Sequence, residues 1–157
     1  MGDTSENIAQ SLHDVLVEEC AEDDMPQQFG IPEAVIAEFR AEVKLYREAM
    51  ILMQLGSESE SQTKFKEVLV AYEKLIFDPV PSPRSLEKLN ALKKAMSNLD
   101  RLLHPEGQPQ EFTWAREWLR EVGHDEYNPA KLTLFSIHWM NAYVSVVQSI
   151  KDLELML

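Results

Sequence analysis

The sequence predicts an all-α fold: a single-domain antiparallel helical bundle of five to six helices over residues 1–157. Three observations carry this. Apolar residues recur in steps of three and four along most of the chain, the spacing of one helical face. Period-2 alternation, the mark of a half-buried strand, is absent. Prolines and glycines fall between the periodic segments, leaving short connections of the kind that join antiparallel neighbours in a bundle.

The elements follow in order. A first helix is expected over about Thr4 to Ala21, with Ser5 as its cap and Ile8, Leu12, Val15 and Leu16 on one face. Glu22 to Ile31 reads as a loop, with Pro26 and Gly30 as breakers. A second helix opens at Pro32-Glu33, where a proline and an acid suit the first turn. Ile36, Phe39, Val43, Tyr46, Met50 and Met53 give it a heptad-like seam. Residues 49–53 are apolar on every side, so this end should be buried from several directions. Gly56 is expected to stop it, and a polar linker should follow to Gln62. The third helix then carries Phe65, Leu69, Tyr72 and Ile76 to about Phe77. The fourth starts at Ser82-Pro83 and should bury Leu86, Leu89, Leu92, Met96, Leu99 and Leu103. A shorter fifth helix spans about Gln110 to Val122 and is closed by Gly123. The last is capped by Asn128-Pro129 and runs through Leu132, Phe135, Trp139, Tyr143, Val146, Ile150 and Leu153.

Composition narrows the class. The chain is 45% hydrophobic and 27% charged, ordinary for a globular protein. Cys20 is the one cysteine, so no intrachain disulfide can form. The N-terminus lacks the basic and apolar regions of a signal peptide. Glu6 stands where a myristoylation signal needs Ser or Thr. Apolar runs end well short of a membrane span. A cytoplasmic protein without membrane contact is the expectation.

Charge is the most distinctive feature. The net charge is −12. Residues 1–39 carry ten acids and no Lys or Arg; the first base is Arg40. Such an acidic segment repels phosphates, so direct nucleic-acid binding through it is not expected. It fits electrostatic docking to a basic protein surface. An internal partner is also conceivable: the basic stretch from Arg84 to Arg101, against which the first helix could pack. Because the first helix is highly charged and its apolar face narrow, residues 1–30 are expected to be mobile or dependent on a partner.

Motifs for chemistry are sparse. His13, His104, His124 and His138 show no HExxH or paired ExxH spacing. His124-Asp125-Glu126 reads as a polar turn. Carboxylates around Cys20 work against thiolate formation. No Gly-rich phosphate loop and no nucleophile elbow is present. No catalytic, metal-binding or cofactor-binding residue is nominated. On the fifth helix, Trp114 and Trp118 lie one turn apart on an apolar arc. They should face the core, or else anchor a partner.

The leading expectation is therefore a non-catalytic acidic interaction module, an inhibitor or immunity-type protein that engages a basic partner. Its candidate contact residues are Glu18, Glu19, Glu22, Asp23, Asp24, Trp114 and Trp118. Two other classes compete. One is a homo-oligomeric structural or adaptor bundle, in which the seams of the second and last helices serve a dimer. The other is a helical enzyme or small-molecule binder with an interhelical cavity.

Overall fold

A computed structural model describes residues 4–19, 25–77, 83–103 and 111–153, with residues 83, 84, 111 and 112 described by backbone alone. Within them the fold is all-α: seven α-helices and no strand. No helix among the described residues is long and apolar enough to cross a membrane.

Helix α1 spans Ser5–His13. Its cap is Thr4, one residue before the expected Ser5; the Thr4 hydroxyl accepts from the Asn7 amide at 3.2 Å. The chain then widens into a π-helical turn, Asp14–Glu18, in which the Glu19 amide donates to the Asp14 carbonyl five residues back. That wider turn changes the phase of the buried face. Ile8, Ala9, Leu12, Leu16 and Val17 are buried, whereas Val15, expected inside, is 51% exposed. Arg47 is buried against this turn and donates to the Leu16 carbonyl at 3.3 Å.

Residues 22–31 are not simply a loop. Met25–Gln28 form a short helix, α2, and Met25, Phe29 and Ile31 are buried. Gly30 closes it at φ +66°, with the Ile31 amide donating to the Pro26 carbonyl at 2.8 Å. A left-handed residue here lets the chain turn back while the last carbonyls stay satisfied. A 3₁₀ turn, Glu33–Val35, leads into α3 (Ile36–Ser59).

Helix α3 runs past Gly56, which does not stop it. A Cβ added at Gly56 would meet nothing within 4 Å, and the Ser59 hydroxyl donates to the Gly56 carbonyl at 2.8 Å. The ladder continues because nothing forces Gly56 out of helical geometry. Positions 46 to 51 are all buried. The fully buried run thus starts three residues earlier than the apolar run 49–53 suggested: Leu52 and Met53 are half-buried, and the charged residues Arg47 and Glu48 are buried instead.

Helix α4 spans Thr63–Ile76 and buries Phe65, Val68, Tyr72 and Ile76. Helix α5 spans Pro83–Leu103. Its packed face is Leu92, Ala95, Leu99 and Leu102, with Lys88 in line; Leu86 is 59% exposed and Leu89 lies at the surface too. Leu92 and Leu99 are inward as expected and Met96 packs against the core, but the inward line continues through Ala95 and the half-buried, ion-paired Lys88 in place of Leu86 and Leu89. Helix α6 spans Glu111–Glu121, and α7 spans Pro129–Asp152. Gly123 joins them at φ +90°, with the His124 amide on the Leu119 carbonyl at 2.9 Å. Asn128 caps α7 by accepting from the Ala130 amide at 2.9 Å.

Helix α3 is the central element, with α4, α5 and α7 packed along it. Helix α6 lies on α7. Helix α1 packs on α4, not on the basic helix α5. The two expected heptad-like seams both point into this core: Phe39, Val43, Tyr46 and Met50 from α3 meet Phe135, Trp139 and Val146 from α7, all buried.

Candidate functional site

Two places bear on function, and both grow out of the helix packing. The first is the outward face of α1. Burial of Ile8, Leu12 and Leu16 fixes which side of α1 meets the core. The opposite side of α1 and of the π-turn that continues it then presents Glu6, Asp14, Glu18 and Glu19, all exposed. Glu18 is engaged locally: Lys44 Nζ donates at 2.9 Å and His13 Nε2 lies at 3.2 Å. The hydrogen bond from Lys44 is the main cause holding the Glu18 carboxyl below its ordinary value. On its other side the His13 ring meets Tyr72 Oη at 3.2 Å. Burial pushes the Tyr72 phenol well above its ordinary range, so it keeps its proton. In the neutral ring Tyr72 therefore donates to Nδ1, and Nε2–H donates to Glu18. Glu19 makes no ion pair among the described residues. Glu22, Asp23 and Asp24, expected contact residues, lie outside the described residues, as does Cys20.

The second place is a small polar cleft between α5 and α6, about 190 Å³ in volume. Trp114 and Trp118 form its apolar walls, and Lys94, Asn98, Arg101, Glu117 and Glu121 line it. Both indoles are buried, 2% and 3% exposed, so neither presents an open ring to a partner. The core-facing alternative is where the structure places them. Trp114 Nε1 donates to the Asn98 carbonyl at 2.7 Å. Trp118 packs among Phe39, Tyr46, Phe135 and Trp139 with centroids 5.1 to 5.6 Å away, in the tilted and edge-on geometries aromatic rings prefer.

The cleft's charges are satisfied within the protein. Lys94 pairs with Glu121 at 2.9 Å and Arg101 with Glu117 at 3.3 Å. The bond from Glu121 holds the Lys94 ammonium above its ordinary value. Burial, then the neighbouring Glu121 charge, raises the Glu42 carboxyl. Burial also keeps Tyr46 protonated, and its Oη accepts from Asn98 Nδ2 at 2.8 Å. A lysine held protonated and a phenol held neutral supply no nucleophile near neutral pH. The arrangement is chemically a braced ion-pair lattice around an aromatic wall. Sequence reasoning found the two tryptophans but not their polar companions, which are spread from Lys94 to Glu121. Only the fold brings them together.

The His124-Asp125-Glu126 turn is also locally satisfied. His124 Nε2 lies 3.2 Å from Glu126 Oε2, and Arg120 reaches Asp125 at 3.1 Å. Among the described residues no three His, Cys, Asp or Glu side chains converge as a metal site.

No protein-family model matches the chain, and no match is found among curated proteins or solved structures.

Proposed function

We propose that the protein is a non-catalytic, acidic interaction module that docks a basic protein surface through the outward face of α1 and the acidic run that continues from it. The observation that carries this is the two-sidedness of α1. Its apolar side is seated in the bundle while Glu6, Asp14, Glu18 and Glu19 face outward. The acids beyond it, Glu22, Asp23 and Asp24, extend the same charge in sequence. A dense single-sign surface raises association rates with an oppositely charged partner and penalises the wrong one. An inhibitor or immunity-type role fits, because many targets of such proteins are themselves basic.

The test is affinity co-purification from the native host at low salt. Wild type is compared with a variant carrying Glu19→Gln, Glu22→Gln, Asp23→Asn and Asp24→Asn, which leaves the Glu18–Lys44 pair in place. A basic protein recovered with wild type and lost with the variant supports the reading. Equal recovery of the same partners by both forms contradicts it.

A further inference from the structure

The π-turn Asp14–Glu18 decides which side chains after α1 face outward. Ile8, Ala9 and Leu12 set the inward direction of α1. Continued as a regular helix at about 100° per residue, the chain would point Val17 about 135° away from that direction and bring Glu19 to within about 25° of it. A carboxylate would then be carried into the bundle and desolvated. The observed turn does the reverse: Val17 is fully buried and Glu19 is exposed. It closes on the bond from the Glu19 amide to the Asp14 carbonyl, and so takes up one residue more than a regular turn.

Such turns are rare in helices, and this one is held from outside. Arg47 of α3 is 7% exposed, and its Nη1 donates to the Leu16 carbonyl, inside the turn, at 3.3 Å. Among the described residues that carbonyl is the guanidinium's one hydrogen-bond acceptor, and Nε has none. Burying a cation is costly, and a well-packed apolar side chain of similar volume is often as stabilising. What an apolar side chain cannot do is donate to the turn. Three residues earlier on the same helix, Lys44 holds the Glu18 carboxylate at 2.9 Å. Helix α3 thus grips the turn twice, by its main chain and by a side chain.

We propose that Arg47 is a positioning residue for the acidic face: through the Leu16 carbonyl it holds the π register, and that register keeps Val17 in and Glu19 out. The consequence for docking rests on the function proposed above; the register itself does not.

The test reads the reactivity of one thiol toward N-ethylmaleimide in a chain carrying Cys20→Ser and Val17→Cys. With Arg47 present, the thiol at position 17 is buried and reacts slowly. Adding Arg47→Met, which fills similar space without the donor, should speed the reaction by at least about tenfold, with an unchanged circular dichroism spectrum. Deleting Val15 removes the extra residue. A regular helix then brings position 17 to within about 35° of the inward direction, so the deletion should restore protection in the Arg47→Met chain. Fast reaction reversed by the deletion supports the proposal. A thiol that stays protected in Arg47→Met overturns it. So does a thiol that stays reactive after the deletion, because the segment has then left the bundle instead of changing register. If Arg47→Met does not fold, folding becomes the readout: recovery on deletion of Val15 supports the proposal, and failure of both chains overturns it. No partner enters this experiment, so failure of the docking reading shows only in the co-purification, and failure of the register only here.

Discussion

Glu18 shows how one side chain can be read in two ways. In sequence it is one acid in a run of five between residues 18 and 24. In the fold it ties the π-turn to α3 through Lys44 and to α1 through His13. Its folded pKa lies below the ordinary value of 4.5, chiefly through the Lys44 hydrogen bond. The Glu18–Lys44 contact therefore contributes stability above about pH 4.5, and that contribution is lost as pH falls through the lower folded value. Both groups are largely exposed, so the contribution is small. Replacing Lys44→Met is expected to move the Glu18 carboxyl back up toward its ordinary value, measurable by NMR titration of the side-chain carbon. An unchanged midpoint would mean that Lys44 does not hold it. The pairing was hidden in the sequence because Glu18 and Lys44 are 26 positions apart, and only the seating of α1 brings them together.

At the scale of the element, glycine position matters more than glycine identity. Gly56 and Gly123 both read as helix stops, yet only Gly123 is one. Gly123 has φ +90°, and an added Cβ would approach Val35 Cγ1 at 3.3 Å. Gly56 lies inside α3 with open space around it. Gly56→Ala should therefore stabilise the protein by about 0.5–1 kcal/mol, because alanine loses less freedom in a helix. Gly123→Ala should cost about 1–2 kcal/mol from left-handed strain alone. Urea unfolding of the two variants reads both signs, and stabilisation at Gly123 would refute the cap assignment. Helix existence was legible because apolar residues recur in steps of three and four along α3, α4 and α7. The phase was less so. In α1 the π-turn exchanged Val15 for Val17 on the buried face. In α5 the inward line passes through Lys88 and Ala95, which a search for leucines does not see.

Over the whole molecule, α3 passes through the middle and organises the rest. Charge is distributed unevenly around it. Acids crowd the outer face of α1 and the π-turn after it, while α7 carries a single acid, Asp152, at its last residue. The acidic asymmetry was legible in the sequence, since charge needs no coordinates. The polar cleft was not, because Lys94, Asn98 and Glu117 converge only through the packing of α6 beside α5. The tryptophans were legible as an apolar arc, but their burial depends on Phe39, Tyr46, Phe135 and Trp139 closing over them.

The most direct measurement of the central claim is the affinity of the captured partner for the purified wild-type protein at about 50 and about 300 mM salt, a range over which the Debye length shortens about 2.5-fold. Electrostatic docking through the acidic face predicts markedly weaker binding at the higher salt, with the loss falling mainly on the association rate. It also predicts that the four-amide variant is weak at low salt and nearly insensitive to it. An affinity unchanged by salt, with wild type and variant alike, would contradict the account.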